Sequence, residues 1–221
     1  AFWSFFVCVL KIVPLVDFVI AFLGDDNMTI FSEHVIEKFG EDVLINKCQV
    51  HMRRLGFSVK IGITNKPIEC EFLSLRWYQV GSKLIVGKKP GRVLSKIGWF
   101  LAKTPRKRSE WLPLLKATMI SYLPTCNHVP FLRVYISTVL RHLKKVKDVQ
   151  LSERDSLRDP NSVVYEPTSE TFVDFEELYG LDRTSEKNFE RHLDKAIRRH
   201  GLSCIIDSPY IEPLLRFDCL L

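Results

Sequence analysis

The chain has little that could cross-link it or hold a structural metal. Its six cysteines, Cys8, Cys48, Cys70, Cys126, Cys204 and Cys219, are irregularly spread and include no Cys-x-x-Cys pair, which argues against a zinc ribbon and against the dense disulfide framework of small secreted domains. They read as free thiols of a reducing compartment. Cys126-Asn127-His128 comes nearest to a metal motif, but it lacks a second pair and reads as loop and core. Acid is missing from Phe72 to Ser109, where Arg76, Lys83, Lys88, Lys89, Arg92, Lys96, Lys103, Arg106, Lys107 and Arg108 are all basic. Between Gln150 and Asp182 the sign reverses, with only Arg154 and Arg158 set against Glu153, Asp155, Asp159, Glu166, Glu170, Asp174, Glu176, Glu177 and Asp182. One portion can face a polyanion and the other can only repel it. There is no internal repeat and no low-complexity segment.

A long unbroken apolar run is missing too. Residues 1–23 are hydrophobic, yet Lys11, Pro14 and Asp17 interrupt them; a spanning helix wants roughly 20 mostly apolar residues, and a cleavable signal would start basic and end at a small-residue site. Phe2 to Leu10 is therefore expected to be the end of a buried helix and Val16 to Leu23 a buried strand, with a membrane anchor as the rival reading. Ala1 is not an initiator Met, so the chain is expected to begin inside a longer reading frame or to be a processed product. With 221 residues, 46% apolar and 26% charged, the chain can fill one large or two small domains.

What is present is organised around Phe18-Val19-Ile20-Ala21-Phe22-Leu23-Gly24-Asp25-Asp26-Asn27-Met28-Thr29-Ile30-Phe31. The flanks favour strands, and Gly24 to Asn27 tolerate the left-handed conformations of hairpin turns, so two adjacent carboxylates are expected at a tight hairpin tip. Carboxylates anchored this way suit a hard divalent cation. A charged connector is expected over Glu33 to Gly40, and a helix from about Glu41 to Leu55 follows, with Leu44, Cys48, Met52 and Leu55 inward and Gly56 ending it. Phe57 to Ile61 alternates like a short strand. In Glu71 to Val80, Leu73, Leu75 and Trp77 share one face and Ser74 and Arg76 the other; Gly81-Ser82 is a two-residue turn signal, and Lys83 to Val86 is the return strand.

An apolar strand, Gly-Asp-Asp and a second apolar strand resemble motif C of the palm domain of RNA-dependent RNA polymerases of positive-strand RNA viruses. The helix, glycine turn and strand that follow resemble motif D, whose lysine is thought to protonate the leaving pyrophosphate; Lys66 and Lys60 are the candidates. Phe72-Leu73-Ser74-Leu75-Arg76 resembles motif E, the primer grip. The resemblance covers roughly Val16 to Gly91. It implies an α+β chain: a partial palm over residues 1–87, made of an antiparallel hairpin with packed helices, then a mainly helical thumb over 88–221.

The same resemblance implies template-directed nucleotidyl transfer with Mg²⁺ or Mn²⁺, Asp25 and Asp26 as metal ligands, and Gly24 keeping the turn narrow. Ser74, Arg76, Lys88, Lys89, Arg92 and Lys96 would meet RNA. The implied partners are RNA template and primer, nucleoside triphosphates, and the remaining palm and fingers of the same polymerase, in the host cytoplasm or at a membrane-associated replication complex. Only 23 residues precede Gly24, so motifs A and B are expected upstream, and this chain alone is expected not to polymerise. A non-enzymatic basic RNA-binding module and a membrane-anchored protein are the alternatives.

Downstream, Arg92 to Lys103 reads as a helix with Val93, Ile97 and Leu101 inward and Arg92, Lys96 and Lys103 outward. Leu132, Tyr135, Ile136, Val139, Leu140, Leu143 and Val146 form an apolar stripe, coated on the polar side by Arg133, Arg141, Lys144, Lys145 and Lys147. Ser152 to Glu170 reads as a loop. Thr184 or Ser185 is expected to cap a last long helix through His200, with Phe189, Leu193 and Ile197 inside and Gly201 as its stop. Cys204 to Leu221 is expected to pack as an apolar tail.

Overall fold

The computed structural model describes residues 1–24, 26–97, 108–148, 163–202 and 208–219. The chain is α+β, with small antiparallel sheets and many helices. It divides into two compact units, Ala1–Lys66 with Glu71–Leu73, and Pro67–Cys70 with Ser74–Leu221.

In the first unit, α1 (Phe2–Ser4) runs into a single wide π-helical turn, Phe5–Val9. The helical end expected over Phe2 to Leu10 is thus present through Val9, and Lys11 and Leu15 beyond it take left-handed backbone (φ 55 and 64) and turn the chain toward the hairpin. No helix among the described residues is long and apolar enough to cross a membrane. Phe5, Phe6, Leu10 and Ile12 instead enter the unit's core, with the Phe6 ring 4.9 Å from Phe18 and 5.3 Å from Phe31.

Strands β1 (Phe18–Leu23) and β2 (Asp26–Phe31) pair antiparallel from Phe18↔Phe31 to Leu23↔Asp26. The expected buried strand from Val16 starts only at Phe18 and is buried on one face. Phe18 packs inward, while Val19, Leu23 and Ile30 on the opposite face stay exposed, Leu23 at 63% and Ile30 at 60%. Asp17 braces the base of the hairpin: its carboxylate accepts from the Val13 amide at 2.7 Å and meets His34 at 2.9 Å.

Glu33 to Gly40 is a helix, α2 (Glu33–Phe39), rather than a connector. Its charges mask one packed side, on which Val35 is fully buried and Ile36 and Phe39 lean on the core. Helix α3 (Glu41–Arg54) buries Leu44, Cys48 and Met52 as its spacing predicts, but Leu55 falls outside and is exposed. Phe57 to Ile61 forms no strand. Its alternation survives as packing, since Val59 and Ile61 touch the core, but no ladder partner makes a strand of it.

The short strand β3 (Glu71–Phe72) belongs to the first unit, and Leu73 and Ser74 after it both take positive φ (55 and 62). In the second unit, β4 (Leu75–Val80) and β5 (Lys83–Lys88) form the expected hairpin, closed at Val80↔Lys83 by Gly81-Ser82. Gly81 has φ +59, the left-handed value such a two-residue turn needs. Helix α4 (Pro90–Leu94) is shorter than the expected Arg92–Lys103 helix; Leu101 and Lys103 lie outside the described residues.

Helices α5 (Arg108–Cys126), α6 (Leu132–His142), α7 (Ser169–Tyr179), α8 (Arg183–His200) and α9 (Ile211–Cys219) complete the unit. Leu132, Ile136, Val139 and Leu143 share one core with Phe189, Leu193 and Ile197, and Phe131 stacks on Phe175 at 5.6 Å. The expected loop Ser152–Glu170 lies outside the described residues up to 162, and its end, Ser169 and Glu170, already belongs to α7. Asp182, not Thr184 or Ser185, caps α8: its carboxylate accepts from the Ser185 amide at 2.8 Å.

The two units part between residues 66 and 74, whereas the expected boundary between 87 and 88 falls inside β5. The hairpin is held from α7, where Thr171 Oγ1 donates to the Gln79 carbonyl and the Gly81 amide donates to Thr168 Oγ1. Those contacts make it part of the second unit.

Candidate functional site

At the first hairpin, Leu23 pairs with Asp26, and Gly24 between them has φ +64 with open space around it. Glycine is required there by backbone conformation, not by crowding. Asp26 opens β2 as an exposed residue; Asp25 lies outside the described residues. Asp26 is a hard oxygen donor at a fixed point. Among the described residues no group of three or more His, Cys, Asp or Glu comes together to hold a metal. Lys66 and Lys60 are both exposed. The Lys66 amide donates to Thr64 Oγ1 at 3.0 Å, which fixes the backbone of this loop.

The basic tract of the second unit divides sharply by burial. Ser74 and Arg92 are brought together, Arg92 Nη1 donating to Ser74 Oγ at 2.6 Å. Arg92 and Lys96 are exposed and Lys88 is half-buried. Arg76 and Lys89, expected to meet RNA, lie inside at 4% and 5% exposure. Arg76 Nη1 donates to the Ile68 carbonyl at 2.9 Å, its guanidinium covers the Phe217 ring at 5.1 Å, and Nη2 stands 3.8 Å from Asp218 Oδ1. Lys89 Nζ is 4.0 Å from the same oxygen. Both cations face the Asp218 carboxylate, which arrives 129 residues after Lys89 and 142 after Arg76 and which no local pattern in the tract announces.

Asp218 is therefore the buried polar centre of this unit. It accepts from the Gly91 amide at 2.7 Å and from Tyr179 Oη at 3.0 Å. Burial pushes its carboxyl pKa up, and the Gly91 and Tyr179 hydrogen bonds, then Arg76 and Lys89, pull it back part of the way. Burial likewise raises the Tyr78 and Tyr179 phenols, so both remain protonated donors; Tyr78 Oη donates to the Lys88 carbonyl at 3.1 Å. Gly91 permits the approach, because a Cβ there would lie 2.1 Å from the Leu214 carbonyl oxygen. The expected apolar tail is thus a helix that delivers a charge to the core. A sequence signal existed: Asp218 lies four residues after Leu214, on the same buried side of α9.

His128 is fully buried, edge-on to Tyr78 with ring centroids 5.7 Å apart. Neither ring nitrogen meets a hydrogen-bond partner in good geometry. Burial lowers its pKa to about 4, the Val86 backbone offsetting only part of that cost. Gly87 makes the room, since a Cβ there would stand 2.6 Å from His128 Nε2. Cys126 beside it is a buried thiol pushed up to about 12 by desolvation, which makes it core and not a ligand.

A pH dependence follows from His128. The folded pKa lies below the usual 6.5, so the stabilisation is full above pH ~6.5 and is lost as pH falls through ~4, about 3 kcal/mol in all. Urea unfolding across this window should show the fall in the native chain. In His128→Leu the fall should be largely absent; an unchanged slope would show that another group titrates.

Comparison with protein-family models, curated proteins and solved structures found no match to this chain. The functional reading consequently rests on the residues and their geometry.

Proposed function

We propose that the chain is the C-terminal part of a viral RNA-dependent RNA polymerase, with late palm in the first unit and a thumb in the second. The observation that carries this reading is the antiparallel hairpin that pairs Leu23 with Asp26 around a turn opened by Gly24 at φ +64. A second two-residue hairpin follows, β4–β5, in the order the family's motifs take. In this reading Asp25 and Asp26 hold Mg²⁺ or Mn²⁺ together with an aspartate from motif A. The metal supplies charge stabilisation at the reacting phosphate. Lys66 or Lys60 donates a proton to the leaving pyrophosphate. Ser74, Lys88, Arg92 and Lys96 contact RNA, and Arg76 and Lys89 position that surface from beneath rather than touching the strand.

The outer face of the first hairpin supports the implied partner. Strands that read as continuous apolar runs belong to sheets covered on both sides, and Val19, Leu23 and Ile30 lie uncovered here. In the proposed reading the remaining palm packs on them. Ile30→Thr is then expected to change the unfolding free energy of this 221-residue chain by less than about 0.5 kcal/mol, while lowering activity in a chain that carries the whole palm. A loss well above that in the short chain would mean that Ile30 is already covered.

Primer extension on an RNA template, by a chain with the complete palm, tests the assignment. Asp25→Ala must abolish extension and spare RNA binding; extension that survives in Mg²⁺ would remove the metal site and leave the basic binding module as the better reading.

A further inference from the structure

Helix α8 carries its charges in rows four residues apart, and the rows have different fates. Glu186, Glu190 and Asp194 form the acidic row, and α6 satisfies each of them. Arg133 grips Glu186 with two hydrogen bonds of 3.0 Å, Arg141 meets Glu190 at 2.9 Å, and His142 Nε2 meets Asp194 at 2.8 Å. The His142 hydrogen bond holds the Asp194 carboxyl below its ordinary value, with Arg198 also contributing. The acids of α8 are thus turned toward α6.

The basic row is Arg183, Lys187, Arg191, Lys195 and Arg199, all exposed. It contains no acid and runs about 24 Å along the helix at 1.5 Å per residue. Arg183 lies over the Phe172 ring at 5.1 Å, and Arg191 donates to Asn188 Oδ1 at 2.7 Å; neither partner is anionic. Arg191, Lys195, Arg198 and Arg199, with Asp194, line an open cavity of about 510 Å³.

We propose that this row binds the phosphodiester backbone of RNA without reading its sequence. Four residues turn an α-helix by about 400°, so each cation lies about 40° round from the last and the row sweeps across the outward half of α8; its match to RNA is one of sign, exposed cations without a facing acid against a run of phosphates. The guanidinium groups add planar donors suited to phosphate oxygens. A membrane surface fits less well: Phe189, Leu193 and Ile197, the apolar side of α8, are already buried in the core and leave nothing to insert into lipid. The proposal shares no residue with the polymerase site and stands whether or not that reading holds.

The experiment measures binding of a labelled single-stranded RNA by the 221-residue chain over a salt series, using fluorescence anisotropy. Replacing Lys187, Arg191, Lys195 and Arg199 together by Gln should weaken binding at least about tenfold and flatten the slope of log K against log salt by about 3, at ~0.7 per lost phosphate contact. A charge-preserving swap, Lys187→Arg, Arg191→Lys, Lys195→Arg and Arg199→Lys, should stay within about twofold. Circular dichroism verifies that the variants fold. An unchanged affinity and slope in the Gln variant would overturn the proposal. So would phosphatidylserine vesicles being lost by that variant while RNA binding persisted. Neutralising Lys88, Arg92 and Lys96 separately keeps the two surfaces distinguishable: failure of one set leaves the other measurable.

Discussion

Asp218→Ala is expected to destabilise the second unit by about 3–5 kcal/mol, the usual cost of removing one partner from a buried charge cluster. The carboxylate has no exposed surface, and the Arg76 and Lys89 side chains are almost as deeply buried. Its loss strips the Gly91 amide and the Tyr179 hydroxyl of an acceptor and removes the charge that both cations face. The hydrogen bonds, at 2.7 and 3.0 Å, are short, whereas the ion pairs, at 3.8 and 4.0 Å, are long. Asp218→Asn, which keeps an acceptor oxygen, is therefore expected to lose roughly half as much. Urea unfolding followed by circular dichroism measures both. A loss below about 1 kcal/mol in the alanine variant would mean that α9 is held by Leu214 alone.

If the proposed polymerase reading holds, Asp25→Ala in a chain with a complete palm lowers primer extension by at least about 10³-fold, since in that reading Asp25 is a metal ligand and its withdrawal forfeits several kcal/mol of transition-state stabilisation. On the same reading RNA affinity should remain within about twofold, because the cations proposed to hold the strand lie elsewhere. Asp26→Ala should cost less: adjacent residues at a strand's start project to different sides, so both carboxylates cannot serve one point equally. Single-turnover extension with Mg²⁺ reads the first expectation and anisotropy the second. Equal, mild losses in both variants would make the pair a solvated turn.

Both hairpins were legible in the sequence because each rests on local chemistry. Gly24 and Gly81 supply the left-handed backbone, and the flanking strand-forming residues need only their neighbours to pair. The stripes of α3 and α8 were legible for a similar reason, since a helix periodicity is written within a few turns. Where charge obscured periodicity, as in α2, or where alternation had no ladder partner, as in Phe57 to Ile61, local reading failed.

The candidate site was legible in its residue types and not in its burial. Arg76 reads as a surface cation in the sequence, and only α9 folding back makes it a buried one. In the sequence of α8 Glu186, Glu190 and Asp194 are interleaved with the basic residues Lys187, Arg191 and Lys195. Arg133, Arg141 and His142 arrive from α6 some fifty residues earlier and take the acidic charge away. By itself, then, the sequence determined the hairpins, the left-handed turn residues Gly24 and Gly81, and the long amphipathic helices, all of which depend on interactions within about a dozen residues. Tertiary structure alone decided which charges are spent inside and which face outward, because a charge's environment depends on distant segments packed against it and not on its neighbours in the chain.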